Sequence, residues 1–596
     1  MTARPRLDRP CWRAAAAAGV AALALSACAA VPDSGPVQAG SVALATSGQG
    51  PGQDYLQLIA APPKRGWGPL EIVKGFLVAC ASFANNHAVA RQYLVPSVRD
   101  SWNPGWAVTV VSGTPRLAPP VKVAHQAGPY PQTEKVKATG EILATLTANG
   151  QYEGALGSRT YPFYLVQVHG EWRIEDPPPQ LLLPEPDFKR VYAPRNLYFL
   201  AGLTQALVPD PVFVPQQATY VDLANKLVTA LLSEPQGWLA NAVSTAFPTG
   251  TVLLRKVTIA GGTATIDIGG SAAGASSDVL GQMTSQLVWT LAGPSYAQSG
   301  IQSVDLEING RLRQAVGLPN GRPSLSPPAA RSGTPLYAVA ANGGVQKLTG
   351  SSRPGGNVPG PAGKASAHLV TIAVSPDGQY VAGLTRSGRG VYYGQLRANA
   401  RLSRWKPSGT RFTSVSWDAS DELWVAGPAG VWMVRPISSP SGSAVPLALP
   451  PGDVVSQLRV APDGVRVAMI VRNPGSPGSQ LQLAAIRHVL GGGVLLGPTE
   501  VIGDDVRNPT ALTWYDADHL IALYQPPGGP ELREVPVNGG SSKPLVIAPK
   551  MQSISAAGPY NPLAAGLAGG HLALTPSLDG TWTTGTGVDL SPTYPG

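Results

Sequence analysis

The spacing of hydrophobic positions along this chain changes character several times. Residues 14–25, Ala14 to Leu25, are uniformly apolar and uncharged. A run this short does not span a bilayer as a mature helix, which needs roughly 20 residues. Residues 29–50 mix Ala, Gly, Ser, Pro and Val with almost no charge, the composition of a flexible tether. From Pro69, a residue that a helix start tolerates, Ile72, Val73, Phe76, Leu77, Cys80 and Phe83 recur at helical spacing. His87 to Leu94 reads as a second helical piece. The pattern then becomes strand-like over Trp106–Val111, Lys135–Thr139 running into Ile142–Leu146, Tyr161–Val168 and Trp172–Ile174. Asn149-Gly150 is a hairpin turn signal, and His169-Gly170 separates the last two strands. Asp176-Pro177-Pro178-Pro179 reads as a stiff linker closing this part.

A second unit begins near Tyr198-Phe199-Leu200 and Leu207-Val208-Pro209. Thr219 and Asp222 have the spacing of a capping box before a helix bearing Leu223, Leu227, Val228 and Leu231 on one face. Strands Val252–Ile259 and Thr263–Ile268 follow, joined at Gly261-Gly262. Then come a helix with Leu280, Met283, Leu287 and Leu291 and strands Ile301–Ile308 and Arg311–Val316, meeting at Asn309-Gly310. Residues 320–335, rich in Pro, Ser, Gly and Arg, read as a linker.

Beyond it the chain repeats. Val374-Ser375-Pro376-Asp377-Gly378 recurs as Val460-Ala461-Pro462-Asp463-Gly464, with Val415-Ser416-Trp417-Asp418 halfway between and Leu512-Thr513-Trp514-Tyr515-Asp516 later. A period in the forties with several short strands per copy is the signature of a β-propeller, and the segment has room for about six blades. The alternative is a β-sandwich with accidental repeats.

The N-terminus changes the picture of where the protein works. Arg4, Arg6, Arg9 and Arg13 precede the apolar run, and Leu25-Ser26-Ala27-Cys28 ends it. Basic head, short apolar run and small-residue exit make a secretory signal. The exit resembles the lipobox of bacterial lipoproteins. That resemblance implies an S-diacylglycerol thioether on Cys28, cleavage before it, and N-palmitoylation of the new amino group. Acyl chains contribute about 0.8 kcal/mol per buried CH₂, so two or three give durable anchoring. Cys11 leaves with the leader, so Cys80 has no partner for an internal disulfide and reads as a small core residue. The formal charge of +9 is modest over 596 residues. It argues against a nucleic-acid partner and is compatible with a mild preference for an anionic membrane or envelope polymer. The expected organisation is a signal peptide over 1–27, a lipidated tether over 28–53, α+β domains over 54–190 and 195–320, and an all-β propeller over 336–596.

Candidate chemistry is sparse. The seven histidines, at 87, 125, 169, 368, 488, 519 and 571, make no metal-binding spacing, and there is no phosphate loop or nucleophile elbow. Asp377 and Asp463 are turn residues, and Trp417-Asp418 needs only a blade-packing role. No catalytic residue, metal or cofactor is expected, and the protein reads as a non-enzyme.

Several segments carry family resemblances. The helices and curved sheet of the first domain resemble the NTF2-like cone. Leu231-Leu232-Ser233-Glu234-Pro235, Phe247-Pro248-Thr249-Gly250-Thr251, Val257-Thr258-Ile259 and Val304-Asp305-Leu306-Glu307-Ile308 resemble a GerMN domain. With Cys28-Ala29-Ala30-Val31-Pro32-Asp33-Ser34, Gly170-Glu171-Trp172-Arg173-Ile174 and the Pro-Asp-Gly copies, the whole arrangement resembles the LpqB family of actinobacterial lipoproteins. The resemblance implies a lipid-anchored protein on the extracytoplasmic face of the cell membrane. It further implies a regulator touching the extracytoplasmic domain of a sensor kinase of the MtrB–MtrA type. A structural or cell-wall-binding envelope protein is the alternative reading, with a propeller hydrolase or lyase as a further one.

Overall fold

Pro69 opens the first helix, Pro69–Cys80, whose buried face is Ile72, Val73, Phe76, Leu77, Ala79 and Cys80. The computed structural model describes residues 60–596 apart from 124–132, 294–298, 406–410 and scattered stretches of one to three residues. The signal peptide, Leu25, Ser26, Ala27, Cys28 and the tether therefore lie outside the described residues. Tyr55–Gly596 form one compact unit.

The helix packs on an antiparallel sheet whose central strands are Thr133–Leu146 and Tyr152–Val168, flanked by Glu171–Asp176 and Val108–Val111. Lys135–Leu146 is thus one strand, with an irregularity of register between Ile142 and Ala144. His169 and Gly170 both take positive φ, the geometry of a tight hairpin turn. The triproline segment does not end the domain. It leads into Leu181–Pro184, which pairs in parallel with Val108–Val111 at the sheet's edge. Proline removes ladder donors but does not prevent an extended chain from returning to the sheet. Of the second helical piece only Ala88–Arg91 is helical, because His87 adopts a left-handed conformation that breaks the run from the first helix.

The second domain starts with a long hairpin, Tyr192–Ala201 against Leu207–Pro215. Helix Tyr220–Leu232 follows, capped as expected: Thr219 Oγ1 accepts the Asp222 backbone N–H at 3.1 Å. The expected strand over 252–259 is two strands, Thr251–Leu253 and Thr258–Ala260, both paired with Thr263–Gly270. Between them Leu254 swings outward and Arg255 turns to pair with Asp267 and Glu307. Helix Ser277–Ala292 crosses over to Ser303–Ile308, parallel to Thr263–Gly270, and Arg311–Gly317 closes the sheet. Buried Gln286 on this helix ties the hairpin down. Its Nε2 donates to the Tyr198 carbonyl at 2.6 Å and its Oε1 accepts the Ala246 N–H at 2.7 Å. The segment read as a free linker is fastened to the same helix: Trp289 Nε1 donates to Leu325 O, and Leu325 N–H to Ser285 Oγ.

From Tyr337 onward six antiparallel sheets follow one another in chain order, five of them with four or more strands. Thr593 exchanges both backbone hydrogen bonds with Tyr337, so the end of the domain supplies the first, three-stranded sheet with an extra edge partner. Each sheet shares an apolar cluster with the next, and the sixth shares one with the first, through Leu336, Ala338, Leu348, Ala564, Leu572, Leu574 and Tyr594.

The leading strand of each later sheet has an edge without a strand partner, a liability unless its polar groups are met. Side chains of neighbouring leading strands meet them. Trp417 Nε1 donates to Ala373 O, Ser416 Oγ accepts Val460 N–H, and Gln457 both donates to and accepts from Leu512. Thr513 Oγ1 accepts Ala556 N–H, and Ser555 Oγ accepts Tyr594 N–H. The repeat of about 43 residues is therefore also a repeat of hydrogen bonds between sheets.

Candidate functional site

In the second to fifth sheets the turn between the first two strands is built around an aspartate. Asp377 accepts Gln379 N–H, and Asp418 accepts the N–H groups of Ser420 and Glu422 with one oxygen and the Trp424 indole N–H with the other. Asp463 accepts Val465 and Arg466 N–H, and Asp516 accepts Asp518 and His519 N–H. These carboxylates fold the turns, as expected for Asp377 and Asp463, whereas Trp417-Asp418 was expected only to pack the blade.

In the fourth and fifth sheets those turns also carry the domain junction. Arg466, fully buried, gives Nε to Asp463 Oδ2 at 2.7 Å and Nη2 to Ala517 O at 2.6 Å, and its guanidinium lies 5.2 Å from the Trp514 ring centre. Gly464 has φ +74°, and a Cβ there would meet Ala419 Cβ at 3.3 Å and Thr204 Cγ2 at 3.6 Å. Only glycine combines that backbone with so close an approach. Thr204, at the tip of the second domain's hairpin, donates to Asp463 O, and Asn196 Nδ2 donates to Asp518 Oδ2 at 2.9 Å. Burial pushes the Asp518 carboxyl up, against the pull of Arg466. Beside them Ala201, Val208 and Leu239 form an apolar cluster with Val465 and Ala485.

The same hairpin meets the first domain. Phe213 N–H donates to Gly150 O at 2.6 Å, so the Asn149-Gly150 turn docks on strand Leu207–Pro215. Gln151 Nε2 lies 3.4 Å from Asp210 Oδ2. Asp210 is buried, and burial pushes its carboxyl up to about 7. The hairpin is thus the keystone between first domain and repeat sheets, held at both ends by buried polar groups.

This arrangement is built to hold surfaces together. Its ionisable groups bond to backbone, to amide side chains or to one another. Cys80 is buried, and burial raises its thiol far above the ordinary range. His87 is wedged against Phe83 and Trp102, and burial lowers it to about 4. Among the described residues no group of His, Cys, Asp or Glu could hold a metal ion, and no helix is long and apolar enough to cross a membrane. Of the junction residues, sequence reasoning singled out the turn pairs Asn149-Gly150 and Asp463-Gly464 and the repeat residues Trp514 and Asp516. Arg466 left a trace, a lone cation inside the apolar run Val465–Ile470, whereas Asn196, Asp210 and Asp518 left none.

Repeated antiparallel sheets behind two smaller domains, joined through buried polar turns, define a multidomain, mostly β protein of the propeller-bearing class. Three family models match along the chain: the lipoprotein LpqB N-terminal domain over residues 62–189, a sporulation and spore germination domain over 196–314, and the lipoprotein LpqB beta-propeller domain over 321–595. The chain belongs to the lipoprotein LpqB family. Lipoprotein LpqB of Thermobifida fusca is 35% identical over 52% of this chain and 48% of that one, so the chain spans about half of that relative's length. The proteins of that name from Streptomyces coelicolor and Streptomyces avermitilis are 29% and 28% identical, over 88% and 99% of both chains respectively. Among solved structures, TolB from Acinetobacter baumannii aligns with 50% of this chain and 84% of its own, at 13% identity and a TM-score of 0.33.

Proposed function

We propose that this protein is an exported lipoprotein anchored to the cell membrane through Cys28 and working on its extracytoplasmic face as a non-catalytic regulator of a two-component sensor kinase of the MtrB–MtrA type. The observation that carries the reading is the family membership, joined to the Leu25-Ser26-Ala27-Cys28 lipobox. In this reading the first domain is an NTF2-like cone and the six sheets are six blades around a central channel. The domain limits are 54–190, 195–320 and 336–596, behind a signal peptide over 1–27 and a tether over 28–53. The alternative, a structural envelope protein, differs in having no signalling partner.

A regulator of this kind needs a firm binding surface more than a reactive site. The keystone hairpin supports that role, because it couples the first domain to the repeat sheets through buried bonds. Tethering then raises the local concentration of a membrane partner without tight intrinsic affinity. Two measurements test the proposal. Replacing Cys28 by Ala and labelling cells with a fatty-acid analogue should abolish incorporation into the mature protein, and retained label rejects the anchor. Deleting the protein should change response-regulator phosphorylation, and the purified sensor domain should bind weakly. Unchanged phosphorylation with no binding favours the structural role.

A further inference from the structure

The net charge of this chain is concentrated in one sector. Residues 336–411 contain ten Lys and Arg against a single Asp, a net of +9 equal to that of the entire chain, whereas residues 412–596 contain nine Lys and Arg against fourteen Asp and Glu. Whole-chain averaging hides this segregation. Seven of the ten cations are arginines, and four of them gather at one turn of the second sheet.

That turn, Arg386 to Gly390, joins strands Tyr380–Thr385 and Val391–Gln395. Arg386 and Arg389 stand on it. Phe412 N–H donates to Gly388 O at 2.8 Å, which brings Arg411 alongside. A Cβ at Gly388 would lie 3.1 Å from Arg411 Cγ, and one at Gly390 would lie 3.0 Å from Arg404 Nε. The two glycines therefore let neighbouring arginine side chains close over the turn. All four arginines are exposed, and none forms an ion pair among the described residues. Next to them opens a pocket of about 320 Å³ between the first and second sheets, lined by Asn342, His368, Thr385, Arg386 and Ser387 among others. It offers a guanidinium, hydroxyls and an amide, and no carboxylate.

We infer that this sector is a binding site for a linear polyanion bearing phosphate groups. Like charges gathered without counter-charges repel one another, and an oxyanion removes that repulsion. Arginine is the side chain suited to it, because its planar fork gives two parallel bonds to phosphate. One observation favours a polymer over a membrane surface. The cations continue from Arg386 and Arg389 along the outer strand at Arg404 to the turn at the other end, with Arg401 and Arg397, so they form a track across the sheet's edge. The Arg386–Gly390 turn also lies at the strand end opposite the aspartate turns, and those turns carry the second domain in the fourth and fifth sheets. The arginine turn is therefore on the side left open by that domain.

The test uses the full chain carrying Cys28→Ser, so that no acyl chain contributes, and fluorescently labelled linear polyphosphate as probe. Anisotropy should report binding that weakens steeply as salt is raised, because counterions are released from the polymer. The double variant Arg386→Ser/Arg389→Ser should bind about ten-fold more weakly, the loss of roughly one charge-assisted hydrogen bond, with a shallower salt dependence. Both side chains are exposed, so circular dichroism should be unchanged, and Arg404→Gln repeats the test from the outer strand. Arg472→Ser, an exposed arginine elsewhere on the repeat sheets, should bind as the parent does. Excess inorganic phosphate should compete only at high concentration. The inference is overturned if polyphosphate does not bind at low salt, or if the turn variants bind as tightly as the parent. It is also overturned if phosphatidylglycerol vesicles bind while polyphosphate does not, which assigns the sector to a lipid surface.

Discussion

At the scale of single residues, the stability of the junction depends on charges that the fold has removed from water. Asp463 and Arg466 are both almost wholly buried, so each compensates the other's desolvation. Replacing Arg466 by Met leaves Asp463 buried without its counter-charge. The expected loss is about 3–5 kcal/mol in urea unfolding followed by tryptophan fluorescence, and adding Asp463→Asn should recover part of it. Asp210 has the opposite character, since among the described residues no cation forms an ion pair with it and burial raises it to about 7. Its folded pKa lies above the unfolded one. Its stabilising contribution is therefore complete below about pH 4 and is lost as pH rises through 7. Asp210→Asn should match the parent in melting temperature near pH 4 and exceed it at pH 8. A variant less stable than the parent at pH 8 would show that the ionised carboxylate is held by groups beyond Gln151.

Single elements obeyed the sequence where their signals were local. The capping box at Thr219 and Asp222 fixes the start of Tyr220–Leu232, and Thr219→Ala should destabilise by about 1 kcal/mol in the same unfolding assay. Asn309-Gly310 and His169-Gly170 became tight turns because both residues of each pair accept positive φ. Elements whose extent depends on distant partners were less legible. Arg255 breaks the strand expected over 252–259 by pairing with Asp267 and Glu307 from two other strands, a choice invisible in the local pattern. Leu181–Pro184 escaped notice because four residues soon after a triproline give no period, yet strand Val108–Val111 was waiting for a parallel partner.

Across the whole molecule, the six sheets are kept in order by contacts between neighbours, and the last contact joins the two ends of the repeat region. Thr593 pairs with Tyr337, Tyr594 N–H is held by Ser555, and Gly596 N–H donates to Val374 O. Removing residues 593–596 leaves the first sheet with a bare edge between two apolar clusters. Limited proteolysis should then cut within residues 336–375 well before the rest of the chain. Cleavage indistinguishable from the parent would mean that sheet packing alone closes the array.

The sequence by itself determined the features that rest on short-range chemistry. These are the lipobox-like start, the helix face through Cys80, the paired turns and the period near 43 whose aspartates fold the first turn of the second to fifth sheets. Such signals are legible because spacing along the chain sets which face or φ a residue can occupy. Only the tertiary structure decided that the hairpin Tyr192–Pro215 would be the keystone, that Arg466 would be buried among Asp463, Ala517 and Trp514, and that Arg386, Arg389, Arg404 and Arg411 would converge. Those outcomes depend on which turns from separate sheets meet in space, and the cost of burying a charge is set by partners far away in the chain.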